Sequence, residues 1–150
     1  MPTRKLSDSD YRCLFAFRHE LRLFLSFSEE QAQRVGLTPQ QHQVLLAVRA
    51  QAPEAPGISL LAEQLVLKHH SVVELVDRLE QRRLLRRSRS EKDARVACVH
   101  LTTRGEALLG KLTLLHSAEL ARRAPRLVTT LQKLATRKPA RSARKARNMS

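Results

Sequence analysis

At 150 residues, 42% hydrophobic and 3% aromatic with no Trp, the chain has the size of one compact domain whose core must come from Leu, Val and Ala, a composition that favours helices. Four Gly and six Pro are too few for a turn-rich β-sandwich, and no apolar run approaches the roughly 20 residues of a membrane helix, so a soluble, mainly α domain with no membrane partner is expected. A formal charge of +14, from 28 Lys and Arg against 14 Asp and Glu, attracts polyanions by counterion release and makes nucleic acid the leading partner.

The opening MPTRKLSDSD has no apolar stretch behind its basic residues and does not read as a secretory signal, so residues 1–9 are expected to form an arm and the protein to be cytoplasmic. From Asp10 to Val35, Leu14, Phe17, Leu21, Phe24 and Leu25 recur at the spacing of one helix face. Gly36 supplies the left-handed residue that ends this helix. Thr38, Pro39 and Gln41 then read as N-cap, first helical residue and capping-box partner of a second helix, whose buried side is Val44, Leu45 and Val48. Pro53, Pro56 and Gly57 break the chain, after which Ser59 is expected to cap a short third helix bearing Leu61, Ala62 and Leu65.

A fourth amphipathic helix, about 69–82, places Val72, Leu75, Val76 and Leu79 on one face. Residues 84–101 read as a hairpin, two half-buried strands around Ser90-Glu91-Lys92-Asp93. Thr102 or Thr103 is expected to cap the next helix, Thr103 to Glu106 matching a capping box. Pro125 is expected to interrupt it, leaving a last helix on Leu127, Leu131 and Leu134. The stretch 137–150 holds six basic residues, no acidic one and little apolar surface, so it is expected to be a disordered basic tail. The domain proper is then 10–136. The tail accounts for under half of the charge; a second concentration lies between Arg78 and Arg104, inside the folded part.

Two short helices with a tight connection, followed by a basic hairpin, are the parts of a winged helix-turn-helix. A helix fits the major groove and offers its first turns to base edges, while a hairpin reaches flanking backbone and minor groove. On this reading Lys68, His69, His70, Ser71 and Glu74 occupy the leading end of the recognition helix, with Arg78 further along and Arg86 and Arg89 on the hairpin. Ser71 suits a phosphate, His69 and His70 a guanine or phosphate, and Glu74 a cytosine amino group. The same charges also suit an ordinary solvated face.

The runs Leu61-Ala62-Glu63-Gln64-Leu65, Val72-Val73-Glu74-Leu75-Val76-Asp77-Arg78-Leu79-Glu80, Leu84-Leu85-Arg86-Arg87, Asp93-Ala94-Arg95 and Leu101-Thr102-Thr103-Arg104-Gly105, in this order, resemble the MarR family of bacterial transcription regulators. The resemblance spans about residues 10–136. It implies a winged helix-turn-helix flanked by dimerisation helices at both ends, a homodimer, and double-stranded DNA with a near-palindromic operator as partner. It also implies that the wing arginine, here Arg95, enters the minor groove while Asp93 steadies it; without DNA the pair is a hairpin salt bridge. Two positions depart from the family pattern. Arg83 stands where Gly is usual at the end of the recognition helix, so a non-Gly residue is expected to turn left-handed there. Glu74 stands where a basic or neutral residue is usual.

One branch of the family senses peroxide through a cysteine near the start of its first helix, the place of Cys13. That branch steadies the sulfur with tyrosine hydroxyls, whereas Phe17 and Phe27 stand here; redox sensing is weighed against a small buried hydrophobe, which is favoured. Cys98 reads as a partly exposed thiol. The six histidines form no metal motif and there is no phosphate-binding loop or nucleophile elbow, so no metal, cofactor or catalytic group is expected. By family resemblance, Phe17, Leu21, His42 and Leu45 are candidates to line a cavity for a small aromatic or phenolic effector, with core packing as the competing role. The function expected is a sequence-specific, effector-responsive repressor. An architectural nucleic-acid binder and a protein-interaction module with a basic tail are the alternatives.

Overall fold

The computed structural model describes residues 5–136; the tail expected at 137–150 lies outside the described residues. The order is α1 (Asp8–Arg34), α2 (Pro39–Ala50), α3 (Ile58–Leu65), α4 (His69–Gln81), β1 (Leu85–Arg89), β2 (Ala97–Leu101) and α5 (Thr103–Ala135). The fold is mainly α with one antiparallel hairpin, in which Leu85 faces Leu101 and Arg89 faces Ala97. The chain divides into two compact units, residues 26–118 and residues 5–25 with 119–136.

The larger unit holds the core. Leu45, Leu61, Leu79, Leu84, Val72, Val76 and Val99 are fully buried, each large aliphatic side chain contributing about 1.5–3 kcal/mol. Three helices enter this core through the same termination. After α1 the Leu37 N–H bonds the Ala32 carbonyl (2.9 Å) and the Gly36 N–H that of Gln33 (2.9 Å). Val66 and Leu67 repeat this pair after α3, and Arg83 and Leu84 after α4. These are Schellman motifs, and the pivotal residue of each is left-handed: Gly36 at φ 73, Val66 at φ 55 and Arg83 at φ 59. Only the first uses the residue that suits the conformation.

At the start of α2 both halves of the capping box are present, Gln41 N–H to Thr38 Oγ1 (3.1 Å) and Thr38 N–H to Gln41 Oε1 (3.0 Å). Elsewhere the structure corrects the sequence reading. Helix α1 begins at Asp8, inside the segment expected as an arm, where Ser7 hydrogen-bonds Asp10. Helix α3 is not capped by Ser59; it starts at Ile58 behind Gly57, because the chain is held at the sheet edge by the Val99 N–H to Pro56 carbonyl bond (2.8 Å) and the Gly57–Cys98 bridge. Helix α5 is capped by Thr102, whose hydroxyl accepts from the Gly105 N–H (3.0 Å) and donates to the Arg83 carbonyl (2.6 Å); Glu106 instead pairs with Arg49 at 3.1 Å. A Cβ on Gly105 would lie 2.1 Å from the Leu84 carbonyl oxygen, so only glycine lets α5 begin this close to the end of α4.

Pro125 does not end a helix: α5 runs through it to Ala135. A proline removes one N–H from the ladder, and cooperative helix on both sides outweighs that single loss. The Thr129 hydroxyl bonds the Pro125 carbonyl (2.8 Å). In the smaller unit, Glu20 and Glu119 are buried beside Arg123, whose guanidinium lies 3.3 Å from Glu20 and 2.6 Å from Glu119. Tyr11, Leu14 and Phe15 are exposed at 61%, 51% and 68%, and Leu21, Leu25 and Leu131 are exposed as well. The apolar stripe of α1 therefore stays largely uncovered in one chain.

Candidate nucleic-acid interface

Helices α3 and α4 are joined by Val66, Leu67 and Lys68 alone. Val72, Val76 and Leu79 bury one face of α4 and turn the opposite face outward. Lys68 is the N-cap in extended geometry and gives no side-chain cap, leaving the positive end of the helix open to an anion. Lys68, His69, His70, Glu74 and Arg78 are exposed and Ser71 is half-buried. All of these belong to the larger unit, so the leading end of α4 presents cations, imidazoles and one hydroxyl together, with Glu74 on the same helix.

The hairpin tip is ordered by its own polar groups. Ser90 Oγ accepts from the backbone of Lys92 and Asp93, and the Ser90 N–H bonds the Val96 carbonyl (2.8 Å). Asp93 Oδ1 accepts from the Arg95 backbone N–H (3.0 Å) and from Arg95 Nε (3.3 Å). The Arg95 side chain is nevertheless 93% exposed. Its carboxylate partner fixes the near end of the guanidinium and leaves the terminal nitrogens pointing outward, the arrangement a planar cation needs to enter a narrow electronegative groove.

The other hairpin arginines separate by face. Arg86 shares a face with Ser88, Cys98 and His100, and with Pro53, Glu54 and His100 it borders a recess of about 180 Å³. His100 is bonded to Ser88 Oγ at 2.6 Å, and partial burial together with the nearby Arg86 holds its pKa below the ordinary imidazole value. Arg89 is exposed towards the tip. Arg87 and Arg82 were not among the sequence candidates, yet both are tied to α4 and the elements that flank it. Arg82 donates to the carbonyls of Val35 and Gly36, bracing the end of α4 against the end of α1. Arg87 reaches back to Asp77 and Glu80 on α4. The available signal was the i, i+3 spacing of those two acids on the helix that precedes a basic strand.

The effector candidates fall in both units. Leu45 is fully buried in the core of the larger unit and Leu21 is exposed in the smaller one, where Phe17 is half-buried. His42 is buried, its Nδ1 without a hydrogen-bonding partner, with the His116 ring centroid 4.8 Å away. Burial first, and His116 second, depress its pKa. His116 in turn bonds the Leu112 carbonyl (2.6 Å) and Ser28 Oγ (2.7 Å). A separate apolar recess of about 570 Å³ lies between Leu46 and Ala50 on α2 and Leu109, Gly110, Thr113 and Leu114 on α5, with the Arg49–Glu106 pair at its border. Cys13 is buried, its sulfur 3.7 Å from the Thr130 carbonyl, and Cys98 is half-buried. Among the described residues no group of three His, Cys, Asp or Glu is placed to hold a metal ion, and no helix is long and apolar enough to cross a membrane.

Residues 35–96 match the model of the MarR family. Over 114 residues the chain is 28% identical to the HTH-type transcriptional regulator YkoM of Bacillus subtilis, covering 74% of this chain and 73% of that protein. Among solved structures it is similar to AbsC, a MarR family transcriptional regulator from Streptomyces coelicolor, with TM-score 0.71 and 25% identity over 89% of this chain and 94% of AbsC. It is also similar to the transcriptional repressor CouR bound to a 23-mer DNA duplex, with TM-score 0.61 and 29% identity over 79% of this chain and 87% of CouR.

Proposed function

We propose that the chain, whose residues 35–96 match the MarR family model, is a DNA-binding transcription regulator of that family, acting as a homodimeric repressor on a pseudo-palindromic operator and released by a small aromatic or phenolic effector. The observation that carries the reading is the pairing, within one compact unit, of an uncapped α4 N-terminus bearing Lys68, His69, His70 and Ser71 with a hairpin tip where Asp93 presents an exposed Arg95. Lys68, Ser71, Arg78 and Arg89 serve phosphates, His69, His70 and Glu74 meet base edges, and Arg95 enters the minor groove. Arg86, turned towards Glu54 and His100, supplies field more than contact. Self-association is supported by the uncovered apolar residues of α1, and repression by the DNA-bound repressor CouR among the similar structures. His42, buried with an unpartnered nitrogen, is the polar group best suited to meet an effector; Cys13, buried against Thr130, serves as a small hydrophobe.

Selection of duplexes from a random pool, followed by affinity measurement against a scrambled duplex, tests this. A dimeric reader enriches an inverted repeat, keeps a preference of about 4 kcal/mol or more over the scrambled duplex, and loses it when roughly five base pairs, half a helical turn, are inserted between half-sites. Enrichment without a repeat, or indifference to the insertion, refutes the operator reading and returns the protein to architectural binding.

A further inference from the structure

The basic stretch that brings the chain to nucleic acid contains an arginine that faces away from that task. Strand β1 leaves α4 after Arg82, Arg83 and Leu84 only, and a two-stranded hairpin has little stability of its own. Its core side is fixed by Leu85 and Val99, both buried. On the same face, paired with Val99, Arg87 adds a polar contact to α4. Its Nη2 lies 2.6 Å from Asp77 Oδ1, its Nη1 3.1 Å from Glu80 Oε1, and its backbone N–H donates to Glu80 Oε2 at 3.0 Å. Asp77 and Glu80 stand on one face of α4, so a single planar fork spans two carboxylates and a third bond ties the strand itself. The Arg87 side chain is 26% exposed where that of Arg95 is 93%.

We propose that Arg87 is a positioning residue that locks the wing to the recognition helix through Asp77 and Glu80, so that the major-groove helix and the minor-groove arginine meet the duplex at a preset separation. The proposal rests on the DNA-reading function above and deepens it. Partly exposed ion pairs add little to folding stability, so the use of this cluster lies in geometry. A wing free to swing would order itself only on binding, at a cost in affinity that falls on the cognate site, where both elements must engage together. Two carboxylates already neutralise Arg87, so it supplies no phosphate contact. A lysine keeps the charge but cannot span both acids.

The test uses the full chain, a duplex enriched by the wild-type protein and a scrambled duplex of equal length, over a salt series. Arg87→Ala and Arg87→Lys should each lower the operator-to-scrambled affinity ratio roughly three- to tenfold, with the salt slope on the operator unchanged. Asp77→Asn is the sharper variant, because removing a negative charge near DNA tightens both duplexes if charge alone matters, whereas a loosened wing lowers the ratio. A variant that is merely less stable loses active protein on both duplexes alike and leaves the ratio where it was. The proposal is overturned if Arg87→Ala makes the salt slope shallower by about one, the mark of a lost phosphate contact. Full retention of the ratio by Arg87→Lys, or equal tightening of both duplexes by Asp77→Asn, overturns it too. A wild-type protein that enriches no duplex refutes the DNA-reading function itself, which separates that failure from failure of the clamp.

Discussion

Val66, in the turn of the helix-turn-helix, is the residue whose replacement by glycine most directly probes how the recognition helix is held. Its φ of 55 places a β-branched side chain in the left-handed region, at about 1–2 kcal/mol for an ordinary L-residue and no less for a β-branched one. The residue is 89% exposed, so removal of its side chain forfeits almost no burial. Glycine gives back about 0.4–1 kcal/mol through the freedom it adds to the unfolded chain. The balance is a stabilisation of roughly 0.5–1 kcal/mol, or a rise in Tm of roughly 1–4 °C. Urea unfolding at one fixed protein concentration measures it, since association would otherwise shift the midpoint. Val66→Ala keeps the left-handed penalty and should not stabilise, which separates backbone strain from the loss of an exposed apolar group. Gly36→Ala is the inverse control: at φ 73 the added Cβ meets the Arg82 guanidinium no closer than 3.5 Å, so its cost is conformational and should reach about 1 kcal/mol. A neutral or destabilising Val66→Gly beside a costly Gly36→Ala would refute strain at Val66.

Gly105→Ala should destabilise by more than about 2 kcal/mol in the same assay, because the new Cβ would fall 2.1 Å from the Leu84 carbonyl oxygen, a backbone atom that cannot move aside cheaply. Arg95→Ala should weaken operator binding by about 1–3 kcal/mol and flatten preference for A·T-rich flanks in a competition assay, with Asp93→Ala giving a smaller loss of the same kind. The folded-state pKa of His42 is depressed, chiefly by burial, so the unfolded chain takes up a proton that the folded chain resists. His42 therefore costs nothing above the ordinary imidazole pKa of about 6.5 and erodes stability as pH falls below it; urea midpoints from pH 8 to 5 should fall less steeply in His42→Leu than in the wild type.

What the sequence made legible were features whose cause is local. Thr38, Pro39 and Gln41 cap a helix by bonds that close within four residues, so the pattern suffices. The left-handed turn at Arg83 was expected from the family resemblance, which has Gly at that place, and its φ is 59. The misses depend on partners distant in sequence or on cooperativity. Ser59 lost its cap because the strand edge at Val99 holds Pro56 and so decides where α3 begins. Of the two threonines the sequence offered as caps for α5, Thr102 is the one used and the Thr103–Glu106 box is not formed, because the Thr102 hydroxyl also reaches the Arg83 carbonyl. Pro125 is a strong local breaker inside a helix long enough to continue past it.

The binding surface shows the same division. A net charge says that polyanions will be attracted, and it says nothing about which cations remain available, because availability is set by pairing. Arg87 and Arg95 are alike in the sequence count, but one is spent on two carboxylates of α4 and the other is held at one end and open at the other. Asp77 and Glu80 have a matching ambiguity. Counted as charges they oppose DNA binding, and placed against Arg87 they fix the wing that carries Arg95. Sequence specificity of the kind proposed needs both elements to arrive together, so acids that weaken the general attraction can strengthen the choice of site.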